Sequence, residues 1–295
     1  MPSDSDRLPR FSVSQVSTLA ASFADDVRAY ARAGLDGLGV WELKLGDGPD
    51  DEALELFEAS GLGSTSAVPE VPSILPLPLL PGPDDPRARI DSICASVHRL
   101  AAFRPSGVVC ITGPAEGLDP DTARGLVVDG LREITAEAEL AGVRMALEPF
   151  QREGLEEWSL VNTIGEAVEL IEETGSPALG IQFDVWHLWN TPDLFEEIER
   201  EVHRFVGVHV NDRREPTRGW ADRVLPGDGI AGVPAILGAL ERAGWDGCYD
   251  LEIFSDNGAF GTAYPDSLWD LDAAELVRRA SESFTRCWQE RRVAA

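Results

Sequence analysis

From residue 11 to residue 292, apolar runs of strand length alternate with amphipathic stretches of helical length, and that alternation leaves few folds open to the chain. Strands that each return through a helix lie parallel, and eight such units close into a barrel with the helices outside. The expected strands are 11–16, 37–45, 73–80, 107–112, 143–148, 179–184, 205–209 and 248–252. Between and after them the pattern predicts helices over 23–33, 51–59, 88–102, 121–141, 164–174, 192–202 and 233–243, with a last helical region over 267–292. Gly34 and Gly142 follow two of these helices, where a left-handed closing residue is wanted. The expected architecture is a single (β/α)8 TIM barrel over residues 1–295, with no second domain.

The last four expected strands carry Glu148, Asp184, His209 and Glu252 at their downstream ends. In a parallel barrel those ends share one rim, so three carboxylates and an imidazole converge there. Donors of that kind imply a divalent metal ion in an active site.

The net charge of −27 sets the chain against nucleic acid and anionic membranes, because either polyanion is repelled. A small, neutral or weakly charged substrate fits better. No apolar stretch approaches membrane-spanning length, and the opening residues lack the basic and apolar regions of a secretory signal, so a cytoplasmic location is expected. Cys94, Cys110, Cys248 and Cys287 are scattered singly, as expected of reduced thiols. Lys44 is the only lysine, so Schiff-base chemistry would have to use it; a place on the rim is the simpler reading.

Two segments break the rhythm. Residues 69–86 hold seven prolines, which reads as a stiff loop over the barrel mouth, either a plain connection or a substrate-facing lid. Residues 211–229, rich in Arg and Gly, form an insertion after the seventh strand, the expected active-site loop.

In order along the chain, Leu147-Glu148-Pro149, Phe183-Asp184-Val185-Trp186-His187, Val208-His209-Val210-Asn211-Asp212 and Leu251-Glu252 resemble the xylose isomerase-like superfamily. Pro226-Gly227-Asp228-Gly229-Ile230, with the helix that follows it and Gly244-Trp245, adds to the likeness. The chain is similar in particular to the sugar phosphate isomerase/epimerase group, which includes ketose 3-epimerases, hydroxypyruvate isomerase and inosose dehydratase. The resemblance covers most of the second half. It implies one divalent ion, manganese first with magnesium or cobalt as alternatives, held by Glu148, Asp184, His209 and Glu252. It also implies that Glu148 and Glu252 are catalytic, one removing a carbon-bound proton and the other returning it.

His187 matches the group's Asp-x-x-His spacing, which implies contact with substrate; the alternative is a buried histidine bonded to a backbone carbonyl. An arginine in the loop after the seventh strand binds substrate in related epimerases, which points to Arg213 or Arg214, with ion pairing to Asp212 or Glu215 as the alternative. Trp41, Trp186, Trp189 and Trp220 lie at or beyond strand ends, where an indole either packs on a sugar ring or plugs the barrel mouth. Arg152 or Glu153 would reach a metal-bound water or substrate hydroxyl, or else stay exposed. His98 and His203 are expected to be structural or exposed.

The expected function is a sugar isomerase or epimerase that works through proton abstraction and an enediolate on a small sugar or polyol-derived ketone. Phosphorylated substrates are less expected, since no glycine-rich phosphate cradle with a lysine or clustered arginines is evident beyond Arg213 and Arg214. A lyase shares the first step, whether an inosose-type dehydratase or one that cleaves an oxidised C-glycoside. A non-catalytic sugar-binding barrel is a further alternative. A nuclease of the endonuclease IV type wants many histidines and a basic face, against four histidines and a charge of −27 here. The resemblance further implies a homo-oligomer.

Overall fold

The computed structural model describes residues 8–78, 80, 82–151 and 158–293. Among them, eight parallel strands close into a barrel: β1 (Phe11–Ser14), β2 (Gly37–Trp41), β3 (Gly63–Val68), β4 (Gly107–Cys110), β5 (Met145–Leu147), β6 (Leu179–Asp184), β7 (Phe205–Val210) and β10 (Tyr249–Leu251). Closure is made by β1 against β10, with Phe11 opposite Tyr249 and Val13 opposite Leu251. The helices α1 (Phe23–Ala33), α2 (Asp51–Ser60), α3 (Pro86–Ala101), α4 (Pro120–Ala141), α5 (Ile164–Thr174), α7 (Leu194–Glu201), α8 (Val233–Ala243) and α9 (Ala273–Glu290) follow the strands. A short α6 (Val185–Leu188) starts directly at the end of β6. This is a single (β/α)8 TIM barrel.

The third strand is not where the apolar pattern put it. Among the described residues of 73–80 none belongs to a barrel strand; β3 is the polar stretch Gly63-Ser64-Thr65-Ser66-Ala67-Val68. The physical reason lies inside the barrel. Ser66 points inward and donates from Oγ to Asp250 Oδ2 at 2.7 Å, while Ser12 Oγ donates to Asp250 Oδ1 at 2.8 Å. A carboxylate in the interior requires hydroxyl neighbours, so this strand forgoes the branched apolar residues that usually fill such barrels. Gly39 belongs to the same layer: a Cβ there would lie 2.5 Å from Asp250 Oδ2 and 2.8 Å from Ser66 Oγ. Ile74 and Leu75 are buried elsewhere. Their N–H groups donate to Ile111 O and Thr112 O at 3.1 and 2.8 Å, and Ile74 packs toward Gly130 of α4.

The helix ends follow elementary rules. Gly34, Gly142, Gly175 and Gly244 take the left-handed conformation after α1, α4, α5 and α8. The 211–229 insertion is more ordered than a loop. Its strands β8 (Asp212–Arg213) and β9 (Arg223–Val224) pair antiparallel. The Asp212 carboxylate accepts from the N–H groups of Arg213, Gly227 and Ala231 at 2.8, 2.9 and 2.9 Å, which ties the insertion to the barrel rim.

Among the described residues no helix is long and apolar enough to cross a membrane. The four cysteines are free thiols. Lys44 lies in the turn directly after β2 with its side chain turned inward: its Nζ donates to Asp26 Oδ2 at 2.6 Å and to Thr18 O at 2.8 Å, and Asp26 is fully buried. Burial pushes the Asp26 carboxyl up to about 6 and lowers Lys44, so desolvation outweighs their attraction at both groups. Because the folded Asp26 holds its proton more tightly than its ordinary 3.8, its contribution to stability grows as pH falls through 6 and is complete below about 4. Lys44→Met should cost about 3 kcal/mol in urea unfolding at pH 8, where Asp26 is left charged and unpaired. The deficit should shrink at pH 5; an equal deficit at both pH values would show that Asp26 is not the group left uncompensated.

Candidate active site

Four elements deliver four donors to one point. Glu148 follows β5, Asp184 closes β6, His209 lies in β7 and Glu252 follows β10. One ligand atom from each lies within 4.8 Å of all the others, and all four side chains are buried. His209 Nδ1 is 3.6 Å from Glu148 Oε1, 3.9 Å from Asp184 Oδ2 and 3.3 Å from Glu252 Oε2. Its other nitrogen, Nε2, lies 3.2 Å from Ser66 Oγ. Glu148 Oε1 and His209 Nδ1 are buried without a hydrogen-bond partner among the described residues, as befits atoms meant for an ion. The residues therefore fit a divalent metal, and this cluster could hold one.

Three buried carboxylates need compensating charge, and Arg223 supplies part of it. The side chain of Arg223, on β9, is almost fully buried; Nη1 donates to Asp184 Oδ2 at 2.8 Å and to Glu252 Oε2 at 3.0 Å. Against the cost of burial, Arg223, His187 and His209 hold Asp184 below its usual carboxyl range. Glu148 has no such partner: burial, with Glu252 adding to it, pushes its carboxyl up to about 7 despite the nearby His209. Burial opposes charge on His209, but Glu252 and Glu148 prevail and raise it well above the ordinary imidazole value. Asp184 is anchored further by Trp186 N–H and Asn211 Nδ2, which donate to Oδ1 at 2.7 and 2.9 Å.

Above the donors opens a cleft. Trp41, Trp186, Trp220 and His187 line it, together with Glu148 and Glu252; Trp189 is not among the lining residues. Burial lowers the His187 imidazole to about 3, so it is neutral. Its ring stacks on Phe150 at 4.1 Å, while Gln151 N–H and Arg223 Nη2 each lie 3.4 Å from one of its nitrogens. A neutral imidazole has one acceptor nitrogen, so only one of these donors bonds to it.

The structure does not bring the two neighbouring arginines into the cleft lining. Arg213 donates to Gln151 Oε1 at 2.8 Å and lies over Trp186 and Trp189. Arg214 pairs with Asp222 and Asp266 at 3.1 and 2.8 Å. Among the described residues, the arginine that lines the cleft is Arg223, which sequence reasoning missed. The turn Pro226-Gly227-Asp228-Gly229, which follows β9, binds the chain back to β8, with Gly227 N–H donating to Asp212 Oδ2 at 2.9 Å and Ile230 N–H to Arg213 O at 2.9 Å. Arg152 and Glu153 lie outside the described residues. His98 and His203 are both exposed, His98 beside Glu137 at 2.7 Å.

A buried set of metal-type donors at the C-terminal rim of a (β/α)8 barrel defines a class of proteins before any comparison is made. A family model described as xylose isomerase-like TIM barrel matches residues 27–287, and the chain belongs to that family. It is 28% identical over 160 residues to an inosose isomerase of Halalkalibacterium halodurans, covering 53% of this chain and 52% of that one. It is 29% identical over 143 residues to a ketose 3-epimerase of Arthrobacter globiformis, covering 48% and 46%. The chain thus spans about half the length of the curated relatives it matches. Among solved structures, protein SMc04130 of Sinorhizobium meliloti 1021 superposes with a TM-score of 0.81 at 26% identity, covering 94% of this chain and 98% of the other. The IOLI protein, solved with a zinc atom bound, shares the fold with a TM-score of 0.77 at 19% identity, over 95% and 98% of the two chains.

Arg223→Met should lower the stability of the chelator-treated protein by about 3 kcal/mol in urea at pH 7.5, because Asp184 and Glu252 lose their cation while staying buried. Adding Asp184→Asn to that variant should recover part of the loss, and no recovery would mean that the guanidinium acts through packing alone.

Proposed function

We propose that the protein is a divalent-metal-dependent sugar isomerase or epimerase that abstracts a proton from a polyhydroxylated carbonyl compound. The observation that carries this reading is the convergence of Glu148, Asp184, His209 and Glu252 within 4.8 Å beneath the cleft. The likeness to an inosose isomerase and a ketose 3-epimerase supports it. Those four residues would hold the ion; manganese is the metal proposed, with magnesium or cobalt as alternatives. When bound, such an ion polarises a carbonyl and the neighbouring hydroxyl, which acidifies the carbon–hydrogen bond between them.

The chain's own groups divide the remaining work. One of the carboxylates of Glu148 and Glu252 takes the proton, leaving an enediolate, and the other returns it. Arg223 aligns the Glu252 carboxylate through the 3.0 Å bond to Oε2. His187, neutral at working pH, faces the cleft to bond a substrate oxygen without adding charge. We assign the arginine contact with substrate to Arg223 in place of Arg213 and Arg214. Trp41 and Trp186 wall the cleft and exclude water from the reacting carbon. The 211–229 insertion is in this reading the active-site loop of a single-domain barrel, since it plants Arg223.

Metal content after stripping and reloading with manganese should be about one ion per wild-type chain. It should fall to background in Asp184→Ala with the circular dichroism of the barrel retained; unchanged content would remove Asp184 from the ligand set. Glu252→Gln should stop exchange of a substrate carbon-bound hydrogen with deuterated solvent, and exchange at the wild-type rate would exclude Glu252 as a required base.

A further inference from the structure

The proposed chemistry uses one nitrogen of His209; the other meets a second polar group inside the barrel, which that chemistry leaves without a task. Asp250, on β10 two residues before Glu252, is buried there. Its Oδ2 is 3.9 Å from His209 Nε2, too long for a hydrogen bond. The hydroxyl of Ser66, on β3, bridges the gap, 2.7 Å from Asp250 Oδ2 and 3.2 Å from His209 Nε2. Ser66 is buried as well, so bulk water does not compete for these bonds.

The order of hydrogens along this chain follows from what each group can give. A hydroxyl has one hydrogen and a carboxylate only accepts, so Ser66 gives its hydrogen to Asp250. Ser66 Oγ then faces His209 with a lone pair, and Nε2 is the donor in the 3.2 Å contact. An imidazole that keeps its hydrogen on Nε2 offers Nδ1 to an ion, and Nδ1 is the nitrogen that faces Glu148, Asp184 and Glu252. Asp250 is held from its other side too. Ser12 Oγ donates to Oδ1 at 2.8 Å, so hydroxyls fill both carboxylate oxygens.

We infer that Ser66 is a positioning residue of the metal site: its hydroxyl, ordered by Asp250, takes the Nε2 hydrogen of His209 and so presents Nδ1 bare to the ion. This rests on the proposed function, whose metal site it serves.

The test compares Ser66→Ala with Ser12→Ala. Each variant removes one buried hydroxyl that bonds Asp250, but only Ser66 also touches His209. A general weakening of the barrel therefore acts in both, and loss of the relay in one. Titration of chelator-stripped protein with manganese should show binding about ten- to a hundred-fold weaker in Ser66→Ala, and within about two-fold of wild type in Ser12→Ala. Nitrogen-15 NMR of histidine-labelled, zinc-loaded protein should show His209 bound to metal through Nδ1 in the wild type and Ser12→Ala. Exchange of its Nε2 hydrogen with solvent should be about ten-fold faster in Ser66→Ala, as expected for the loss of one hydrogen bond.

Unchanged manganese binding in Ser66→Ala, equal losses in the two variants, or zinc held through Nε2 overturns the inference. Hydrogen–deuterium exchange at carbon in the free D-ketohexoses, measured on the same preparations, separates this from failure of the proposed function. If the wild type binds metal and exchanges substrate hydrogen while Ser66→Ala binds metal equally well, the relay alone falls. If the loss is confined to Ser66→Ala but no ketose hydrogen exchanges in the wild type, the proposed function falls and the relay stands. A wild-type protein that takes up no ion overturns both.

Discussion

Bringing three carboxylates out of water to one point is the constraint around which the rest of the molecule is arranged. Each of Glu148, Asp184 and Glu252 is buried, and like charges that close repel in a medium that screens them poorly. Two features answer that cost. His209 sits among the carboxylates, and a hairpin outside the barrel carries Arg223 in between Asp184 and Glu252. The hairpin in turn depends on Asp212, whose carboxylate gathers three backbone N–H groups where the insertion leaves and rejoins the rim. A second acid, one shell removed from the cluster, thus holds the base that neutralises it.

The same constraint reaches down into the barrel. The imidazole of His209 has one nitrogen toward the rim and the other toward Ser66 and Asp250, with Asp250 Oδ2 3.9 Å from Nε2. An outer partner of this kind fixes the ring and leaves the inner nitrogen as the ligand atom. It also explains a barrel interior with serines on β1 and β3 and a glycine on β2: the hydroxyls satisfy Asp250, and Gly39 makes room for it.

Legibility in the sequence follows these physical causes. Seven of the eight barrel strands are apolar enough for their alternation with helices to reveal them, and the four donors are found because each ends such a strand. β3 is hidden because its inward face serves a buried carboxylate, so the hydrophobic signal fades where the barrel is polar inside. The nearby Ile74 and Leu75 then mimic a strand, although both are buried outside the barrel sheet, with Ile74 against Gly130 of α4. Arg223 is hidden for another reason. Its place depends on the pairing of β8 with β9, a long-range register that no local pattern encodes, whereas Arg213 and Arg214 stand nearest to His209 in the chain and so draw attention. The tryptophans were readable as rim residues but not as a connected wall, because ring-to-ring contact joins positions on different strands and loops, Trp41 and Phe254 the farthest apart in the chain.

The burial of Lys44 gives the molecule an unusual chemical surface. Every other basic side chain that could carry a positive charge is arginine or histidine, so the chain's one ε-amino group is sealed beside Asp26, while Gln15, which also bonds Asp26, accepts the N–H of Trp41 through its amide oxygen. A reagent that modifies lysine side chains has a single target, and it can reach that target only when this corner of the barrel opens. The rate at which the amine is labelled therefore serves as a clock for local opening beneath Trp41, built into the protein without any added probe.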